Sequence, residues 1–166
     1  MYAIPTRRFH RTDKHTWSLL DEDGKVLGSL IKSKWYSLKR EIVVSGKLYH
    51  AKALKTWSSD QAVFFGDVPV LVADFAWDRI RIGMPNNGGT SYIVRRKHFF
   101  SSEYHLLDLQ GIVRARIETR INWSDFDREP ELVGMEGEPL EPMVLLFAFH
   151  AINVQHQRTA GFAAGA

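Results

Sequence analysis

The sequence predicts a mainly β protein in which two similar sets of strands enclose a buried helix near the C-terminus. Three observations lead there. Met143 to Ile152 is apolar at nine of ten positions. Short apolar segments separated by glycine-containing turns occupy much of the chain before it. Two of these hairpins carry the same pattern, Leu-Leu-Asp-x-x-Gly-x-Val, at 19–26 and 106–113, at a constant offset of 87 residues.

The elements follow in order. Met1 to Lys14 contains Arg7, Arg8 and Arg11 but no apolar stretch after them, so it does not read as a secretory signal. Trp17 to Ile31 reads as a hairpin, because Asp21-Glu22-Asp23-Gly24 sits between apolar flanks and Asp-Gly favours a tight turn. Glu41 to Ala51 is a second hairpin, turning at Ser45-Gly46-Lys47. Ala62–Phe65, Val70–Phe75 and Arg79–Ile82 are short strands, and Asn86-Asn87-Gly88-Gly89 is a turn. Tyr92-Ile93-Val94 leads into Arg95-Arg96-Lys97. In the second repeat copy, Val113, Ala115, Ile117, Thr119 and Ile121 alternate with Arg114, Arg116, Glu118 and Arg120, the pattern of a strand half-buried against a core. From Trp123 to Pro142 the acidic, Pro- and Gly-containing chain reads as a loop. The final run is predicted as a helix over 142–156. It has no solvent face, as an enclosed helix requires, and Pro142 suits a first helical position. Residues 157–166 read as a loosely ordered tail, and 1–156 as one domain.

Composition narrows the function. With no cysteine, the chain has no disulfides, thiolate metal sites, thiol nucleophiles or palmitoyl anchors. The helical run is too short to span a bilayer, which takes about 18 apolar residues or more. A cytoplasmic protein, peripheral at most to a membrane, is the expectation. The net charge of +3 is unevenly spread. Lys25 to Lys55 holds eight basic residues against Glu41, while Asp125 to Glu141 holds seven acids against Arg128. That asymmetry fits a basic binding face, two segments that neutralise one another, or an ordinary solvated surface.

The two Leu-Leu-Asp-x-x-Gly-x-Val hairpins, together with the Met143–Ile152 run, resemble the tubby C-terminal-like superfamily, which includes tubby-like, phospholipid scramblase-like and LURP-one-related proteins. The resemblance covers residues 15–156. It implies a closed antiparallel barrel of about twelve strands, from two similar halves, wrapped around the hydrophobic helix. It also implies anionic phospholipid as a partner, although no head-group motif, acylation cysteine or calcium loop of those families is matched here.

The residues themselves offer little catalytic chemistry. There is no dinucleotide fingerprint, phosphate loop or Gly-x-Ser-x-Gly elbow, and no cofactor or metal is expected. Asp125, Asp127, Glu129 and Glu131 fall in the expected loop without a fixed partner. Trp17, Trp35, Trp57, Trp77 and Trp123 are spread as core and rim packing would spread them, so nucleic acid is not an expected partner. His150 interrupts the apolar helix and shares a narrow stripe with Asn153 and Gln157. It reads as a buried histidine bonded to a strand carbonyl or as the lining of a small cavity. The expected function is a non-enzymatic barrel protein that meets anionic phospholipid head groups, or an acidic protein, through Lys32, Lys34, Lys39, Arg40, Lys47, Lys52 and Lys55. The alternatives are a small-molecule carrier or enzyme with a cavity at His150 and Asn153, or a protein-interaction scaffold.

Overall fold

The computed structural model describes residues 7–32, 34, 37–85, 89–122, 127–135 and 137–159. Among the described residues, twelve strands precede one helix. They are β1 (Arg8–Asp13), β2 (Thr16–Leu20), β3 (Val26–Ile31), β4 (Arg40–Val44), β5 (Lys47–Ala53), β6 (Gln61–Phe65), β7 (Val68–Phe75), β8 (Ile80–Met84), β9 (Gly89–Arg96), β10 (Glu103–Asp108), β11 (Val113–Asn122) and β12 (Asp127–Met135), followed by α1 (Pro142–Thr159). Each strand pairs antiparallel with the next, in the order β1 to β12, and β12 comes round beside β1 to make a nearly closed barrel.

A twelve-strand barrel is wider than wall side chains alone can fill, since about eight strands already reach that limit. Here α1 fills the centre. Every residue from Val144 to Val154 is buried, including Leu146 and Phe147 on different sides of the helix. The wall makes room with small inward residues: Ala51, Ala73 and Ala115 are fully buried. Gly28 is the extreme case, because a Cβ there would lie 2.8 Å from Leu146 Cδ1.

The repeat is built as the sequence predicts. In each copy an aspartate Oδ1 accepts two backbone N–H bonds, from Asp23 and Lys25 at Asp21 (2.9 and 2.8 Å) and from Gln110 and Ile112 at Asp108 (2.9 and 3.0 Å). Gly24 and Gly111 both have φ of 82° and both donate N–H to that aspartate's carbonyl at 3.1 Å. The ladders shift at equivalent points, between Leu19 and Leu20 and between Leu106 and Leu107. Arg11 lies over the Trp17 ring and Arg96 over the Tyr104 ring, each at 5.6 Å.

Three expectations change. β1 was not anticipated, because Arg8–Asp13 has only one buried residue, Phe9, and owes its form to pairing with β2. The expected loop before the helix contains β12. There Asp127, Glu129 and Glu131 occupy ladder positions, with Glu129 opposite Arg120. Pro130 is tolerated because β12 ends the strand order and pairs with β11 alone. The helix runs to Thr159 rather than His156, with Gln157 buried and Arg158 lying 5.0 Å over the Phe75 ring. Trp35, Asn86 to Gly88, Trp123, Asp125, Glu136 and residues 160–166 lie outside the described residues.

Candidate functional site: the loop end of the barrel

Strict up-and-down order gives the barrel two different ends. Tight turns join β2–β3, β4–β5, β6–β7 and β10–β11 at one end, the turn end. The connections β1–β2, β3–β4, β5–β6, β7–β8 and β9–β10 gather at the other, the loop end. The helix enters at the turn end, where Arg7 bonds the Leu140 carbonyl and Arg114 donates to the Glu138 carbonyl at 2.6 Å. It finishes at the loop end, where Arg158 reaches Phe75.

This topology separates charge in net terms. Exposed Glu22, Asp23, Asp67, Glu138 and Glu141 lie at the turn end, where Lys25 and Lys47 are also exposed. Exposed Lys14, Lys34, Lys39, Lys55 and Lys97 lie at the loop end, where Asp13 and Asp78 are also exposed. The helix dipole runs the same way, its positive end toward the acids and its negative end toward the bases. Glu138 and Glu141 therefore sit at the far end of the barrel from the β3–β4 lysines.

The seven basic residues singled out in the sequence do not share one face. Lys34, Lys39 and Lys55 come together as exposed loop-end positions. Lys32 and Arg40 are only 8% and 4% exposed. Arg40 turns into the β3–β4 connection and donates to the carbonyls of Ser37 (2.9 Å) and Lys39 (3.2 Å). Lys47 is at the turn end, with its Nζ 5.9 Å from the Phe65 ring centre. Lys52 is on the outer wall over Phe64, and an odd separation along β5 puts it on the opposite side of the strand from Lys47.

His150 and Asn153 are both buried, but they have different neighbours. His150 Nε2 donates to Gln61 Oε1 at 3.1 Å, a side-chain acceptor rather than the strand carbonyl expected, and its ring stacks against Phe147. Its Nδ1 is buried without a hydrogen-bond partner among the described residues. Burial first, then the nearby Arg40 and Arg158, hold its pKa well below the usual histidine value, so the ring is neutral. Asn153 instead lines a pocket at the loop end with Lys14, His15, Lys32, Arg40 and Phe149. Its cavity volume of about 10 Å³ suits a single water.

The residues that the sequence reading missed are aromatic. Trp57 and Trp77 do not pack in the core or rim. They are 85% and 91% exposed, and Phe99 and Phe100 are 74% and 87% exposed. All four stand in loop-end connections. The available signal was their position between strands beside Ser, Asp, Lys or His, where no apolar face continues. Trp17 does pack inward, edge-on to Phe149.

Among the described residues no three His, Asp or Glu side chains gather as a metal site, and no helix is long and apolar enough to cross a membrane. Compared with known proteins, the chain matches no family model, no curated protein and no solved structure.

Proposed function

We propose that the protein is a non-enzymatic module that binds the surface of membranes containing anionic phospholipid, using the loop end of its barrel. The observation that supports this reading is the net imbalance of exposed charge along the barrel axis, with Lys14, Lys34, Lys39, Lys55 and Lys97 outnumbering Asp13 and Asp78 at the loop end, and acids outnumbering Lys25 and Lys47 at the turn end. A bilayer approaching the loop end meets these lysines while the carboxylates of the turn end stay a helix length away, about 27 Å for 18 residues. Each lysine near an anionic surface contributes about 1 kcal/mol, so four together strengthen binding about a thousandfold. The resemblance to tubby-like proteins supports the same partner. A carrier or enzyme centred on His150 has less support, because that ring is closed off by Phe147 and Gln61.

Vesicle sedimentation tests the reading. Wild-type protein should bind phosphatidylcholine vesicles containing phosphatidylserine, bind pure phosphatidylcholine more weakly, and lose the difference as salt shortens the screening length. Reversing Lys34, Lys39 and Lys55 to Glu should lower the affinity for anionic vesicles by tenfold or more. Equal binding to both vesicle types, or an unchanged affinity after charge reversal, removes the proposal.

A further inference from the structure

Two loop-end connections are copies of one another in hydrogen bonding. In the β5–β6 connection Leu54 N donates to Asp60 O (2.9 Å), Ser58 N to Lys55 O (3.0 Å), and Asp60 N to Ser58 Oγ (3.1 Å). In the β9–β10 connection Lys97 N donates to Glu103 O (2.9 Å), Ser101 N to His98 O (2.9 Å), and Glu103 N to Ser101 Oγ (3.0 Å). The matching segments are Lys55-Thr56-Trp57-Ser58-Ser59-Asp60 and His98-Phe99-Phe100-Ser101-Ser102-Glu103. Each turn sets an aromatic ring, Trp57 or Phe100, at the same position and leaves it in solvent. Arg96 braces the second turn by donating to Phe99 O (3.1 Å) and Tyr104 Oη (3.0 Å). Between them the β7–β8 turn is closed by Ala76 N to Arg79 O (2.9 Å) and carries exposed Trp77 at the same end of the barrel.

Strands β5 to β10 are consecutive neighbours, so these three connections are adjacent along the rim, about 10 Å apart. Their aromatics form one arc about 20 Å long. Large exposed rings held on hydrogen-bonded turns make contact area that folding does not use. Apolar side chains are also exposed at the turn end, including Leu48 beside Lys47, Val68 beside Asp67, and Leu109, but the exposed charge at that end is acidic in net, which an anionic surface repels. The arc has Lys55, Arg79, Lys97 and His98 beside it, with Arg79 paired to Asp78 at 2.9 Å and Lys97 4.0 Å from Glu103, so the cations outnumber the acids there.

We infer that Trp57, Trp77, Phe99 and Phe100 are an insertion surface for the interfacial layer of an anionic bilayer, standing the barrel with its helix axis along the membrane normal. Trp and Phe settle at the boundary between head groups and acyl chains, while the neighbouring cations remain with the phosphates. The inference rests on the membrane reading above and adds penetration, depth and orientation to it.

Tryptophan emission of the full chain, recorded with phosphatidylcholine–phosphatidylserine vesicles brominated at shallow or deep acyl positions, tests it. The wild type should be quenched most by shallow bromines, and Trp57→Ala with Trp77→Ala should abolish that quenching. That double variant, and Phe99→Ala with Phe100→Ala, should each bind at least tenfold more weakly while keeping the wild-type circular dichroism, since the rings make few internal contacts. Salt-sensitive wild-type binding with no quenching, and with both double variants within twofold of wild type, overturns insertion and leaves electrostatic docking standing. Wild-type protein that binds no anionic vesicle overturns both. A dimer in sedimentation velocity that the aromatic variants dissolve, with vesicle binding unaffected, identifies a second copy as the occupant and overturns the membrane.

Discussion

Gly28 sets how closely the helix approaches the wall. A Cβ there meets Leu146 Cδ1 at 2.8 Å, and Val43 O and Val44 Cγ2 at 3.0 Å. The last two belong to the neighbouring strand, so the wall cannot yield easily. Gly28→Ala should cost about 1–3 kcal/mol by overpacking. Leu146→Ala alone should cost about 2–5 kcal/mol through the cavity it leaves. Combined, the two should cost less than their sum, because each relieves the other's misfit. Additive losses in denaturant unfolding would show that Gly28 is not the contact point. His150 makes a different prediction at the same scale. Its folded pKa is depressed by burial, so as pH falls below about 6.5 the unfolded chain gains a proton that the folded ring refuses. Stability should therefore decline on acidification through that window, by at most about 1.4 kcal/mol per pH unit. The lowered pKa of Glu103, caused first by its bond to His105, makes its own loss fall at lower pH. His150→Gln should flatten the decline between neutrality and pH 5, and a variant as pH-sensitive as wild type would exclude His150 as its source.

At the scale of elements, the duplicated hairpins have a common mechanical core. Asp21 and Asp108 each hold two backbone N–H groups, and Gly24 and Gly111 each supply a left-handed φ of 82° with no atom near a Cβ. Space is free at both glycines, so only backbone strain opposes a side chain. Gly24→Ala and Gly111→Ala should each destabilise by about 1 kcal/mol, and by similar amounts. Losses differing by more than about 1 kcal/mol would mean that the turns are not equivalent in energy. These turns could be read from the chain because their signal is local: aspartate and glycine at fixed spacing act on their own backbone. β1 and β12 were not legible in the same way. Arg8–Asp13 has no apolar alternation, and Asp127–Met135 mixes acids with Pro130 and Gly134, yet each extends beside a partner that supplies its ladder.

At the scale of the whole molecule, neighbouring strands are joined in sequence, and this one fact assigns every connection to an end. Charge that looks like a basic block followed by an acidic block is redistributed into a net axial polarity, with Lys34, Lys39 and Lys55 at the loop end, Glu138 and Glu141 at the turn end, and Lys25 and Lys47 of the basic block carried to the turn end as well. The alternative in which Glu138 and Glu141 neutralise Lys34 and Lys39 is therefore geometrically prevented. The sequence by itself determined the enclosed helix, most hairpins and the internal repeat, because these depend on apolar runs and turn chemistry within a few residues. Only the tertiary structure decided that Lys32 and Arg40 fold inward while Lys34 and Lys39 face water. It also decided that His150 meets Gln61, and that Trp57, Trp77, Phe99 and Phe100 form one exposed arc. Those outcomes depend on which strands are neighbours around the barrel and which end each loop occupies. Packing of the helix inside the wall joins residues far apart in the chain, 89 positions for His150 and Gln61, and no local pattern encodes such a distance.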